Sequence, residues 1–168
     1  GVSIDGPSWA NRNRMGWGGH ESFQRTMNGI TLLKDNGIEF SIIAVVSGNN
    51  FKLAKELYTF FLEIGCKLLS INIEERVGTN QCQTCDAGEV IRFWEELFET
   101  WGNDPRLQIR EFQSILSWMK ALIEDAGSTG EFEEVDIFPT IGWNGNVVLL
   151  SPELLGANSL TYKNFTIG

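Results

Sequence analysis

The chain has 168 residues and carries 13 Lys and Arg against 22 Asp and Glu, a formal net charge of −9. That balance argues against a nucleic-acid footprint, which needs a basic patch or run. With neither an 18-residue apolar run nor a signal-peptide pattern, the reading is a cytoplasmic protein with no membrane partner. The length is enough for one domain with a sizeable core, and no basic run or repeat subdivides it.

The opening stretch 1–7, Gly-Val-Ser-Ile-Asp-Gly-Pro, predicts a short buried strand over 2–4 with a carboxylate at its C-terminal end. Ligands of parallel α/β folds gather at that end of the strands. Ser3 and Asp5 share one face by strand alternation, although Asp5 also suits a simple turn cap. Residues 8–20 read as a glycine-rich loop holding Arg12 and Arg14, a basic pair suited to a carboxylate ligand or to the acidic surface. His20, the sole histidine, precedes a helix start and reads as a surface or capping residue.

A helix is predicted over 22–36, closed by Asn36-Gly37, and then a strand over 38–46 whose second half is apolar on both faces, as when helices cover a sheet. Polar residues from Ser47 end that strand. A helix over 51–64 and a strand over 67–73 follow. The order β-α-β-α-β with short links predicts a parallel sheet with right-handed crossovers, open or closed into a barrel. The third strand runs into Glu74 and Glu75. Adjacent residues of an extended chain face opposite ways, so one of the two at most can serve a site as proton acceptor or substrate anchor. The competing reading is a solvated strand end paired with Arg76.

Cys82 and Cys85 form a CxxC, compatible with a redox pair or half a metal site, while Cys66 sits in a core position. Two amphipathic helices are expected over 89–100 and 109–125. Their stripes, including Phe112, Ile115, Leu116, Met119, Leu122 and Ile123, read as core. After a polar hinge over 127–134, segments 135–141 and 146–150 flank Gly-Trp-Asn-Gly, a hairpin signal, and Ser151-Pro starts a short turn. This places an α/β part at 1–127 and a hairpin-containing extension at 128–168.

Four stretches together resemble the middle of a radical S-adenosylmethionine enzyme of the peptide-maturase type with a SPASM-like extension. They are 1–7 with the Arg12/Arg14 loop and Gly-Gly-His-Glu-Ser-Phe at 18–23; Phe-Ser-Ile-Ile-Ala-Val-Val at 40–46; Ser-Ile-Asn-Ile-Glu-Glu-Arg-Val-Gly at 70–78; and Asp-Ile-Phe-Pro-Thr at 136–140 through Ser-Pro-Glu-Leu-Leu-Gly at 151–156. The last two look most like cyclophane-forming maturases, and sulfatase-maturing enzymes share the first stretches more than the last. The resemblance implies a partial (β/α)6 TIM-like barrel, with the later strands in 1–125. It implies that Ser3 contacts S-adenosylmethionine with Asp5 as its motif neighbour, and that Arg14, or Arg12, meets the methionyl carboxylate. Ser47 would end the fifth barrel strand, and Ile73 would belong to the sixth-strand segment flanking the adenine. The implied chemistry is reductive cleavage of S-adenosylmethionine at a 4Fe-4S cluster, hydrogen abstraction from a precursor peptide, and a crosslink or oxidised side chain. A flavodoxin or ferredoxin would serve as reductant.

The family's CxxxCxxC triad and glycine-glycine-glutamate motif are absent and would precede Gly1, with auxiliary-cluster cysteines mostly beyond Gly168. Cys82 and Cys85 lack the triad's spacing, and a loop histidine of the family is replaced near Asn11. Both ends of the chain read as cut from something longer. The alternatives to a segment of an active radical enzyme are an inactive peptide- or cofactor-binding module without a cluster and, further off, a thiol oxidoreductase.

Overall fold

The structure, a computed structural model, describes residues 1–16, 18–74, 86–124, 139–149, 152–159, 161 and 163–167. These fall into two compact units, one holding residues 1–74 and 86–124, the other the described residues from 139 onward.

In the first unit the order along the chain is also the order across the sheet. Strands β1 (Val2–Ser3), β2 (Ser41–Val46), β3 (Leu68–Ile73) and β4 (Gln108–Ile109) pair in sequence, each parallel to the last. Helices α1 (Phe23–Asp35), α2 (Ala54–Glu63) and α3 (Ala87–Asn103) make the crossovers, and α4 (Arg110–Glu124) follows β4 directly. Successive crossovers of one hand, without a reversal of strand order, keep the helices on one face of a sheet. The burial pattern follows. Ile42, Ala44 and Val46 of β2 are buried, whereas Ile43 between them is 43% exposed. The covered face meets Ile30 of α1, Leu57 and Phe61 of α2, and Phe93 and Leu97 of α3 in a single core. The apolar second half of β2 predicted cover on both faces; only one has it.

Local chemistry explains the boundaries. The C-terminus of α1 closes with Ile38 N–H donating to Leu33 C=O and Gly37 N–H to Lys34 C=O, with Gly37 at φ 66°. This is a Schellman stop, which needs a left-handed residue. It delays β2 to residue 41, so residues 38–40, expected to be strand, are not. A 3-10 turn at Gly48–Lys52 likewise shortens the second predicted helix, which begins at Ala54. Strand β4, absent from the sequence reading, has only two residues, too few to show alternation. Tertiary bonds fix the chain on either side of it: Trp101 Nε1–H donates to Leu107 C=O at 2.9 Å, and the Tyr58 hydroxyl donates to Asp104 C=O.

Helix α4 departs most from expectation. Phe112 is buried edge-on against Phe98, with centroids 5.2 Å apart. Beyond it Ile115, Leu116, Met119, Leu122 and Ile123 are 45–75% exposed, although their spacing reads as core. Ile115, Leu116 and Met119 line an open apolar groove with Trp94 and Phe98 of α3.

In the second unit β5 (Pro139–Ile141) and β6 (Val147–Leu149) form the expected antiparallel hairpin. Its turn closes by Gly142 N–H to Asn146 C=O at 2.7 Å, with Gly145 at φ 85°. β7 (Asn158–Ser159) pairs with β8 (Lys163–Asn164), and Val148 is fully buried. The anticipated boundary at 127/128 and the hinge over 127–134 lie outside the described residues.

Two predictions follow from packing. At Gly6 (φ 138°) an added Cβ would stand 2.4 Å from Leu57 Cδ2 and 3.1 Å from Ala10 Cβ. Gly6→Ala should therefore destabilise the unit by about 3 kcal/mol, from overpacking plus a disfavoured backbone angle, read as a lowered urea midpoint. Burial pushes the Cys66 thiol from its ordinary 9.0 up to about 12. A folded pKa above the unfolded one gives stability that is complete below pH 9 and lost as pH rises toward 12. Cys66 should accordingly escape alkylation at pH 8 in the native protein and react only after unfolding, as mapped by peptide mass spectrometry.

Candidate functional site

The uncovered sheet face supplies the site. Register pairs Ser3 with Ile43, Ile43 with Ser70, and Val45 with Asn72. Side chains alternate along a strand, so these residues share the face opposite the core, where Ser3, Ile43 and Asn72 are exposed and Ser70 is buried at 6%. Ser47 continues the set in extended backbone (φ −143°, ψ 155°), and Glu74 N–H donates to Val46 C=O at 3.0 Å, carrying the ladder one residue past β3. The strands are parallel, so Asp5, Ser47 and Glu74 all stand at one edge, the C-terminal one.

Asp5 is the fixed point of that edge. It is 6% exposed, and both carboxylate oxygens are occupied. Oδ1 accepts from Val45 N–H at 2.8 Å and from Arg14 Nη2 at 2.7 Å, and Oδ2 accepts from Arg14 Nε at 2.7 Å. The guanidinium and carboxylate thus meet as a two-bond fork, the strongest common form of such a pair. Arg14 is also held by its backbone, because its carbonyl accepts from the Ser22 hydroxyl at 2.8 Å. The turn itself rests on Asn11, 3% exposed. Its Oδ1 accepts from Asp5 N–H at 2.8 Å, and its Nδ2 donates to Gly6 C=O at 2.5 Å and to Pro7 C=O at 2.9 Å. Asn11 was noted in the sequence only as a replaced histidine, and nothing local marked it as the keystone of this turn.

The remaining residues singled out from sequence are placed as follows. Ser3 is exposed on the open face, Ser47 and Glu74 are half-buried at the edge, and Arg12 is exposed. Ile73 packs against the core, on the opposite face to the polar row. Glu75, Cys82 and Cys85 lie outside the described residues. Among the described residues no three His, Cys, Asp or Glu side chains converge as a metal site.

A second carboxylate was missed. Glu111, in the first turn of α4, accepts Ile71 N–H on Oε2 at 3.2 Å, just past the end of β4. Its Oε1 accepts from Arg110 Nε at 2.8 Å, and Arg110 Nη2 reaches Asn72 Oδ1 at 3.1 Å. The signal, Arg-Glu after a two-residue strand, is legible only once that strand is known.

Chemically, the open face offers hydroxyls (Ser3, Ser47), an amide (Asn72) and a carboxylate (Glu74) around two aliphatic side chains, Ile43 and Val45.

No family model matches the chain. Sequence likeness reaches a serine-type anaerobic sulfatase-maturating enzyme of Bacteroides thetaiotaomicron, 40% identical over 86 residues, 48% of this chain and 20% of that enzyme. It also reaches a cysteine-type anaerobic sulfatase-maturating enzyme of Clostridium perfringens, 30% identical over 127 residues, 69% of this chain and 34% of that enzyme. An uncharacterized protein of Synechocystis is 26% identical over 177 residues, all of this chain and 43% of that protein. The chain therefore spans less than half the length of these curated relatives. In fold it resembles native anSMEcpe with bound AdoMet, at TM-score 0.62 and 25% identity over 76% of this chain and 36% of that one. The same protein with AdoMet and the Kp18Cys peptide gives TM-score 0.60 at 26% identity, over 76% and 37%. Sequence and fold both support a relationship to the sulfatase-maturating enzymes.

The Asp5 clamp makes a testable claim on stability. Asp5→Asn keeps an acceptor for Val45 N–H but turns an amide NH2 toward the Arg14 fork, so it should cost about 2 kcal/mol. Arg14→Gln should cost at least as much, because it leaves the nearly buried Asp5 carboxylate without its cation. Equal urea midpoints for wild type and Asp5→Asn would remove the clamp from the account.

Proposed function

We propose that this chain is part of a radical S-adenosylmethionine enzyme that modifies a precursor peptide, with the open sheet face as its cofactor- and substrate-facing wall. The carrying observation is the polar row at the C-terminal edge, on a parallel α/β unit related to structures that hold AdoMet and peptide. In this reading the open sheet is the later part of a partial barrel, the hairpin unit begins a SPASM-like extension, and the product is a crosslink of the cyclophane kind or an oxidised side chain. In this reading the ligands of a 4Fe-4S cluster come from outside this 168-residue segment. When bound, S-adenosylmethionine would supply the hydrogen-abstracting chemistry, with a flavodoxin or ferredoxin as reductant.

The chain's own residues bind and orient. Ser3 and Ser47 give hydroxyls for the ribose, and Ile43 and Val45 give an apolar floor. Ile73 contributes through its main chain, since its side chain belongs to the core. Arg14 spends its Nε–Nη2 edge on Asp5 and keeps its end-on edge, with Arg12 near in sequence, for a carboxylate. Glu74 shares the face of Ser47 and Asn72, which makes it, rather than Glu75, the candidate to take a proton from the peptide or hold it in place.

The test uses the complete polypeptide, reconstituted anaerobically, with iron and sulfide quantified and 5′-deoxyadenosine release followed apart from peptide modification. Glu74→Gln should lower peptide modification by about 100-fold or more while leaving 5′-deoxyadenosine release near wild type. Glu75→Gln should leave both nearly unchanged. An iron-loaded wild type that releases no 5′-deoxyadenosine would replace the enzyme with a binding module.

A further inference from the structure

Arg110 has no part in the roles above, and it joins Asn72 of the open face in an ordered polar corner. The corner is built from the backbone outward. Ile71 N–H fixes Glu111, Glu111 Oε1 holds Arg110, and Arg110 Nη2 donates to Asn72 Oδ1. With its oxygen engaged, Asn72 presents its NH2 group outward, and it has no acceptor for that group among the described residues. Asn72 is exposed and the Arg110 side chain is 47% exposed. The Asn72 NH2 group and the remainder of the Arg110 guanidinium thus stand together at one exposed corner.

We infer that this corner grips main-chain carbonyl oxygens of the peptide substrate, acting as a positioning site separate from the cofactor's. The electrostatics select that class of acceptor. The Arg110 charge is already matched by Glu111 at 2.5 Å, and the chain as a whole carries −9. A neutral corner on an acidic chain gains little from a carboxylate or phosphate, whereas a peptide carbonyl brings a strong acceptor without a charge to compensate. Contacts to the main chain also hold peptides of differing sequence in one register, since every residue carries the same acceptor. The inference rests on the reading of the open face as the substrate wall.

The discriminating variant is Asn72→Asp. It keeps an acceptor for Arg110, and so the corner's geometry, while deleting both outward donors. The probe is a capped alternating Gly-Ser peptide, which offers main chain with almost no side chain, titrated into the complete protein. Asn side-chain amides are directly visible in 15N correlation spectra, so Asn72 reports on itself. The expected result is a saturable shift of the Asn72 NH2 signals, and binding weakened by about tenfold in Asn72→Asp and Asn72→Ala, the scale of one good hydrogen bond. Arg110→Gln should weaken it similarly, and sodium acetate should not compete. Unshifted Asn72 signals, or equal affinity in wild type and Asn72→Asp, would overturn the proposal. Competition by acetate would overturn it as well, by making the corner an anion site. 5′-Deoxyadenosine release, measured alongside, separates the two readings. Its absence with Asn72 shifting would sink the radical reading alone, and its presence with Asn72 silent would sink this one.

Discussion

The unit depends on two carboxylates that stand in for missing strand. β2 and β3 have six residues each, but their outer neighbours β1 and β4 have two. A long parallel strand beside a short one is left with N–H groups that have no ladder partner, and each such group costs about 1–3 kcal/mol if buried unsatisfied. Asp5 takes Val45 N–H where β1 has stopped, and Glu111 takes Ile71 N–H where β4 has stopped. Each carboxylate is held in turn by an arginine, Arg14 in one case and Arg110 in the other. Completing the sheet therefore delivers two oriented guanidinium groups to its borders. The structural need and the chemical opportunity have the same origin.

Winding decides where that opportunity lies. Strand order without reversal gives the helices one face, so one row of side chains is sealed in the core and the alternate row, apart from the buried Ser70, stays largely open. Ile42, Ala44 and Val46 pay for folding, while Ser3, Ser47, Asn72 and Glu74 are left for other work. Ile43 shows the division plainly: flanked in sequence by buried residues, it remains 43% exposed because its neighbour across the sheet is not a helix.

Much of this was legible in the sequence, and the gaps have physical causes. The helix stop at Gly37, the hairpin at Asn144-Gly145 and the existence of β2 and β3 rest on local signals, and they read correctly in kind. β4 was not legible, because two residues have no period, and it is held by bonds from Trp101 and by pairing to β3. The stripe of α4 was misassigned because helical spacing reports which residues share a face, not whether anything covers it. Asp5 was recognised as important but for its place in a motif. Its job in the ladder depends on Val45, 40 residues away, and no window along the chain contains both.

That job also bears on how an arginine can serve fold and ligand together. A guanidinium has two edges able to make paired hydrogen bonds, one through Nε and Nη2, the other through Nη1 and Nη2. Asp5 occupies the first, at 2.7 Å on both bonds. Because the group is planar and rigid, fixing one edge fixes the direction of the other. Arg14 is thereby oriented before any ligand arrives, and a carboxylate meeting its second edge would not bear the entropy of ordering a long side chain. A lysine at this position could neutralise Asp5 but would have no second edge to aim. The fork between Asp5 and Arg14 thus serves less as a source of charge than as a means of turning a mobile cation into a fixed one.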